Sequence, residues 1–498
     1  NSVEIIKKNP YKLSEDIIGI GFKKADDIAK SLGIENNSTD RISQGIIYTL
    51  KKSTTNGHTY LPKDELVIES TKLLEVDKSL VENTLESLIF DKKLYMETIN
   101  NSQNVYLIPY YICENGTLTY IANLISFDFE DLDIDIEKEI KIIEKEENIK
   151  LAKNQILAVK EAINSGVVII TGGPGTGKTT TINTIINIFE NNNKKVVLSA
   201  PTGRAAKRMS ETSGKEAKTI HRLLEMSYSN DKGELTFMKN EEEPIKADVI
   251  VVDEVSMVDI YLMYSLLKAI KLGTRLILVG DSDQLPSKVI NVVKLTEIFR
   301  QASESMIVVN AHRINKGQPL YLNLKGKDFF FIKKETNEDI LNEIIELVDK
   351  RLPKFYNVDN IKDIQILSCM RKGEVGVFNL NKELQKYLNK EDNRKIEETF
   401  QKRVFRVGDK VMQIKNNYTR KWKNEDESER GEGIYNGDIG YVYHIDKEEK
   451  TLYVIFDDIK IAKYKYEDLD ELDHSYATTI HKSQGSEFKV VIIPISWA

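Results

Sequence analysis

Cysteine is scarce in this 498-residue chain, with Cys113 and Cys369 its only two. Two thiols make neither a disulfide framework nor a four-ligand zinc site, and a reducing compartment, the cytoplasm, is the expected setting. No stretch approaches the roughly 18 consecutive apolar residues of a membrane span, so no membrane association is expected. A basic surplus is missing too: 71 Lys+Arg stand against 78 Asp+Glu, a formal net charge of −7. That balance argues against coating nucleic acid by bulk charge and leaves room for a local basic channel. The opening residues Asn1-Ser2-Val3-Glu4 show neither a signal segment nor an initiator Met, so the chain is expected to have been cut from a longer one. Internal repeats and low-complexity tracts are absent. What remains is ordinary globular composition, 41% hydrophobic and 30% charged, and a length that suits about three to four domains.

The pattern changes along the chain. Residues 1–36 read as two short helices around Ile18-Gly19-Ile20-Gly21, with Phe22, Ala25, Ile28, Ala29 and Leu32 at helical spacing before Gly33. Within 37–127, Ile42–Leu50, Lys63–Leu73 and Lys78–Leu88 are helical, and Leu94–Thr98 with Val105–Pro109 forms a hairpin, an order compatible with a winged helix. Residues 128–150 are acidic and predict a connecting helix. From 151 the short β-branched runs Val167–Ile170, Val196–Ser199, Val249–Val252 and Leu276–Val279 alternate with helical stretches, as buried parallel strands do. A second α/β set is expected from about 291, including Ile364–Leu367 and Val490–Ile493. A small β-barrel at 400–470 interrupts it, with turns such as Asn436-Gly437-Asp438.

The strongest chemical signal is Gly172-Gly173-Pro174-Gly175-Thr176-Gly177-Lys178-Thr179-Thr180, between a strand and a helix. Glycines let backbone N–H groups wrap a phosphate at a helix N-terminus, Lys178 reaches the β- and γ-phosphates, and Thr179 ligates Mg²⁺. ATP with Mg²⁺ is the expected ligand. Val249–Val252 ends in Asp253-Glu254, where Asp253 would hold the metal and Glu254 would activate the attacking water. Such a pair after an apolar strand is common by itself, and only the phosphate loop gives it this role. Gly280-Asp281-Ser282-Asp283-Gln284 lies at another strand end, where open α/β sheets bind ligand, and Gln284 could contact the γ-phosphate.

Taken in order, these pieces resemble superfamily 1B helicases of the RecD-like (RecD/TraA-type) branch. The resemblance runs from about 151 to 495. It is carried by Gln155, Ser199–Ala206, Thr219–Leu224, Asp253–Met257, Gly280–Pro286, Leu295–Gln301 and Ala477–Phe488. Asn9-Pro10-Tyr11 and Gly19-Ile20-Gly21-Phe22 look like the helix-hairpin-helix segment of its stand-alone members. The implied fold is α/β: two RecA-like P-loop NTPase domains, a β-hairpin pin, an inserted SH3-like β-barrel and an N-terminal helical (helix-hairpin-helix, winged-helix-like) region. The expected domains are 1–36, 37–127, a connecting helix at 128–150, a first RecA-like domain at 151–290 with its pin at 226–245, a second at 291–399 with 471–498, and the barrel at 400–470.

The resemblance also implies roles. Gln155 would read adenine, Arg300 would act as an arginine finger, and Gln484 with Gly485 would lie between nucleotide and DNA. Thr202, Arg204, Thr219, His221, His481 and Ser483 match family positions near single-stranded DNA, and hydroxyls and imidazoles suit phosphate contacts that carry no sequence information. Each of these residues, met alone, is as readily a helix cap or a satisfied core group. The implied activity is ATP-dependent translocation 5′→3′ on single-stranded DNA and unwinding of duplex DNA, by a monomer with no identified protein partner. An RNA helicase or remodeller of the same superfamily, and a DNA-binding module with a regulatory ATP switch, are the alternatives. Two departures bear on the last. The family's Thr-Arg motif after Glu487 is absent from this chain, and Ser287 joins Lys288 without the family's intervening loop; if that truncation is real, crippled hydrolysis with surviving nucleotide binding is expected.

Overall fold

The computed structural model describes residues 10–11, 21–129, 135–229, 234–281, 290–297, 304–392, 395–400 and 403–496. They divide into two compact units, Asn1–Asn123 with Asp259–Ile270, and Leu124–Val258 with Lys271–Ala498.

In the first unit, helices α1 (Phe22–Ser31), α2 (Thr39–Thr54), α3 (Lys63–Leu74) and α4 (Lys78–Phe90) pack on a sheet of β1 (Tyr60–Pro62), β2 (Leu94–Ile99) and β3 (Ser102–Leu107). The expected division at 36/37 falls inside one core, since Tyr11, Phe22, Ala25 and Ala29 are buried in the same cluster as Ile42, Ile46, Leu66 and Leu85. Polar groups join the two parts as well. Arg41 grips Asp26 through Nε at 2.7 Å and Nη2 at 3.0 Å, and Tyr11 donates to the same carboxylate at 2.8 Å. The second hairpin strand ends at Leu107 instead of Pro109, because Pro109 lies in the first turn of α5 (Ile108–Ser126), where its missing N–H costs no helix bond. That helix is apolar nearly all round, so it shows no periodicity to a sequence reading. The helix Ile260–Lys268 also belongs to this unit, with Tyr261 4.8 Å from Tyr110 and Tyr264 6.0 Å from Tyr120.

The second unit begins at the end of α5 and continues through α6 (Ile136–Glu146) and α7 (Lys153–Asn164) to a six-stranded sheet. Its strands are β4 (Val167–Gly172), β5 (Val196–Ala200), β6 (Ala217–Thr219), β7 (Val249–Val252), β8 (Arg275–Gly280) and β9 (Asn291–Leu295), in the order β9-β4-β8-β7-β5-β6. Every pairing is parallel, so all their carboxyl ends open on one edge. Burial of every residue of β4 and β8 accounts for their continuous Val/Ile/Leu runs. Helices α8 (Lys178–Asn191) and α9 (Gly203–Ser213) follow β4 and β5.

Strand β9 departs from expectation. Instead of opening the second α/β set it pairs with β4, Val292 beside Ile169. Only Val293 and Leu295 of its residues are buried, the pattern of an edge strand covered on one face, and so short a run does not name the sheet it joins.

Helix α10 (Met306–Asn315) leads into a smaller parallel sheet, in which β10 (Ile364–Ser368) lies between β11 (Ala477–Thr479) and β12 (Val490–Ile492). Between β10 and β11 the chain forms a barrel-like seven-stranded antiparallel sheet and a hairpin, spanning Glu397 to His474 around Phe405, Val411, Val442 and Val454. Buried Asp409 ties the barrel to the smaller sheet, accepting from Asn389 at 2.7 Å and from Tyr476 at 2.8 Å. The expected pin is a hairpin of Met226–Ser229 with Glu234–Phe237, and its anticipated turn Asp231-Lys232-Gly233 lies outside the described residues.

Candidate functional site

The phosphate-loop sequence connects β4 to α8. Gly175 and Gly177 take φ of +75° and +77°, a left-handed backbone that residues with a Cβ rarely adopt. Thr176 is buried and donates to Gly173 O at 2.8 Å, closing the loop on itself. A side chain at Gly172 or Gly173 would have to displace a neighbouring side chain. A Cβ at 172 would lie 2.4 Å from Thr176 Oγ1, and one at 173 would lie 2.4 Å from His312 Cε1. Lys178 Nζ donates to Gly172 O at 2.8 Å and meets Asp281 Oδ1 at 2.5 Å. Thr179 and Pro174 are exposed, and Thr180 accepts from Thr184 at 2.9 Å within α8.

Gln155 is 1% exposed and engaged at both ends, accepting from Ala152 N–H at 2.8 Å and donating to Gly177 O at 3.1 Å. As placed, its amide caps the start of α7 and braces the loop. The reason is local, since a Gln at the third position of a helix reaches back to the N-terminal N–H.

Asp253 and Glu254 follow β7, two strands from β4. Asp253 Oδ1 accepts from Glu254 N–H at 2.8 Å, and Glu254 stands at φ +52°, a position strained for a residue with a side chain. Burial raises the Asp253 carboxyl above its ordinary range, opposed by that N–H and by Lys178. Glu254 is raised by burial and then by its neighbour Asp253. An ammonium at a glycine loop, an exposed hydroxyl at Thr179 and the Asp253 carboxylate at the end of β7 form a donor set that suits a polyphosphate with a hard divalent cation. Gln284 and Arg300 lie outside the described residues.

A second cluster forms where β5 ends. Thr202 caps α9 by accepting from Ala205 N–H at 3.2 Å, and Thr219 caps the short helix Ile220–Leu223 through Arg222 N–H at 3.2 Å. The His221 ring lies 5.9 Å from that of Phe237 on the hairpin, tilted by 52°. Gly485, at φ +73°, sits over the first turn of α9, its Cβ position 3.6 Å from Ala205 Cβ and 3.8 Å from Thr202 Oγ1. Gln484 and His481 are exposed beside it, whereas Ser483 is turned inward and donates to Ile480 O at 2.7 Å.

Arg204 is enclosed. It hydrogen-bonds Ser486, lies 5.8 Å over the Phe488 ring, and burial lowers its pKa against the opposing pull of Asp438 and Asp457. Nearby, Lys207 pairs with Asp457 at 2.8 Å and Arg208 with Glu487 at 2.5 Å.

The structure therefore brings Gln155, the loop, Lys178, Asp253 and Glu254 to one edge, and Thr202, Arg204 and Gly485 to another cluster on it. Asp281 as the partner of Lys178 was visible in sequence as a strand-end carboxylate without a role. His312 carried no signal, because it belongs to no phosphate-binding pattern and reaches the loop only through the packing of α10.

Family models match four stretches of the chain. They are an AAA domain at 155–289, an ATP-dependent RecD-like DNA helicase SH3 domain at 380–456, an ATP-dependent RecD2 DNA helicase HHH domain at 1–60 and a UvrD-like helicase C-terminal domain at 474–498. The ATP-dependent RecD2 DNA helicase of Deinococcus radiodurans is 29% identical over 514 residues, covering 99% of this chain and 66% of that protein. An uncharacterised protein of Methanocaldococcus jannaschii is 27% identical over 99% of this chain and 51% of its own length. The RecBCD enzyme subunit RecD of Buchnera aphidicola is 27% identical over 77% of this chain and 74% of its own. The chain thus spans just under two thirds of the first of these relatives and about half of the second. With the motifs in order on two parallel sheets, a barrel inserted in the second and these models distributed along it, the chain is similar to the RecD-like helicases.

Proposed function

We propose that this chain hydrolyses ATP to move 5′→3′ along single-stranded DNA and to open duplex DNA at single-strand/double-strand junctions, as a cytoplasmic monomer. The observation that carries the proposal is the Gly485 turn on the first turn of α9. That turn belongs to the second α/β domain, and α9 follows β5, which lies beside the strand bearing Asp253 and Glu254. A shift of one domain against the other on nucleotide turnover would then alter both clusters at once.

In this reading Lys178 holds the β- and γ-phosphates, the loop backbone cradles them, and Glu254 takes a proton from the attacking water. Magnesium held by Thr179 and Asp253 would neutralise phosphate charge and polarise the terminal phosphoryl group. Arg300 and Gln284 complete the proposed charge stabilisation at the γ-phosphate. Gln484 and Gly485 relay the nucleotide state, while Thr202, Arg204, Thr219, His221, His481 and Ser483 hold the strand by its phosphates. For Arg204 this requires release from Ser486, and for Gln155 a base contact requires release from Gly177. The hairpin Met226–Phe237 parts the strands, with about 1.4 kcal/mol of stacking lost per base-pair step.

The test is ATP hydrolysis by the chain and by Lys178→Ala, without nucleic acid, with single-stranded DNA and with single-stranded RNA of equal length. Stimulation by DNA alone, lost in Lys178→Ala, is the expected result. Equal stimulation by RNA would make the chain a remodeller, and ATP binding without turnover would make it a switch.

A further inference from the structure

His312, on α10, has no place in the scheme above, yet its ring lies against the phosphate loop. Its Nε2 lies 3.1 Å from Pro174 O. A carbonyl only accepts, so Nε2 carries the proton and donates. The ring also fills the space above Gly173, where all three nearest atoms to an added Cβ belong to His312, at 2.4, 3.2 and 3.3 Å.

The helix that carries His312 is held from its other side. Asn310, fully buried and two residues earlier, points about 200° away around α10. It exchanges two hydrogen bonds with the backbone of Tyr321, at 2.8 and 2.9 Å. The N-terminus is fastened too, since Asp328 accepts from Ser305 Oγ at 2.5 Å and from Met306 N–H at 2.6 Å. Helix α10 is therefore tied at Ser305, Met306 and Asn310 to the segment that follows it, and His312 is its contact with the phosphate loop. It follows Arg300 in sequence by twelve residues.

We propose that His312 is a positioning residue that couples the phosphate loop to helix α10. Through Pro174 O it sets where the loop apex stands relative to α10. Gly173 is without a side chain because this ring occupies its space. The proposal rests on the ATP reading for its consequence in turnover, but the contact itself does not depend on nucleotide.

The experiment is a double-mutant cycle on Gly173→Ala and His312→Ala, with His312→Gln as the conservative variant, since its amide can still donate to Pro174 O. Each protein is read by thermal melting without nucleotide, by the dissociation constant of a fluorescent ATP analogue, and by the split of ATP turnover into KM and kcat. Gly173→Ala has an allowed backbone, so its effect comes from the ring. It is expected to lower the melting temperature and to weaken analogue binding by about tenfold. In the His312→Ala background the same substitution is expected to change either quantity less than about twofold-equivalent, which is strong non-additivity. His312→Ala alone is expected to lower kcat by about tenfold with a smaller change in KM, and His312→Gln to recover most of it.

An additive cycle in the nucleotide-free melts overturns the contact. A coupled cycle in the melts with His312→Ala turning over as wild type overturns the positioning role. Failure of wild type to bind the analogue, with coupled melts, would instead strike the ATP reading and leave the contact standing.

Discussion

Removing Arg41 tests how the N-terminal unit is held together. Its guanidinium is 3% exposed and makes four hydrogen bonds, two to Asp26 and one each to Asn36 O at 2.9 Å and Leu74 O at 3.0 Å. Arg41→Met keeps the apolar stem and deletes all four. The Asp26 side chain, 9% exposed, is left with Tyr11 and with Lys30 at 3.1 Å, a partner half in solvent. Breaking one side of a buried pair destabilises by about 3–5 kcal/mol, and the remaining partners set the expectation near about 3 kcal/mol. For a unit of this size that lowers the melting temperature by roughly 10 °C. Burial raises the Asp26 carboxyl, but hydrogen bonds from Arg41 and Tyr11 outweigh it and hold it below its ordinary range. Its contribution is therefore present above the unfolded-state pKa of about 3.9 and is lost as pH falls through the depressed folded value. Calorimetry of the whole chain at neutral pH, wild type against Arg41→Met, resolves the effect. Asp26→Leu with Arg41→Met should recover most of the loss, because it removes the stranded charge. A single variant that melts within about 1 kcal/mol of wild type would refute the reasoning.

Glu254→Gln should bind a fluorescent ATP analogue as wild type does and lose at least about a hundredfold in turnover, and full hydrolysis would remove Glu254 from the role of base. Since burial and Asp253 raise Glu254, the single-turnover rate should climb with pH through a limb lying above the ordinary glutamate value of about 4.3. A limb at or below that value would sink the assignment. Replacing Met226–Phe237 by a short Gly-Ser turn should spare DNA-stimulated ATP hydrolysis and abolish strand separation on tailed duplexes, and persistent unwinding would rule out the hairpin as the separating element.

The parallel strands were legible because full burial on both faces demands uninterrupted β-branched runs, and Val167–Ile170 and Val249–Val252 obey that rule. The phosphate loop was legible because its glycines and Lys178 answer to backbone geometry within a few residues. Helix α5 was not, since it is apolar nearly all round and lacks a period. Strand β9 was not read as a strand, and its place beside β4 depends on a register chosen by residues far away in sequence. The helix Ile260–Lys268 is an ordinary amphipathic segment whose allegiance to the N-terminal unit comes from Tyr110, Tyr120 and Gly116.

The sequence by itself determined the local chemistry: which strand ends carry carboxylates, where phosphate can be wrapped, and which order of motifs the chain shares with the RecD-like helicases. Only the tertiary structure decided what those groups touch. It gave Gln155 to Gly177, Lys178 to Asp281, Arg204 to Ser486 and Phe488, and Gly173 to His312. Local chemistry depends on neighbours along the chain, whereas these pairings depend on how separate sheets and helices come to rest against one another, and no short stretch of sequence contains both partners.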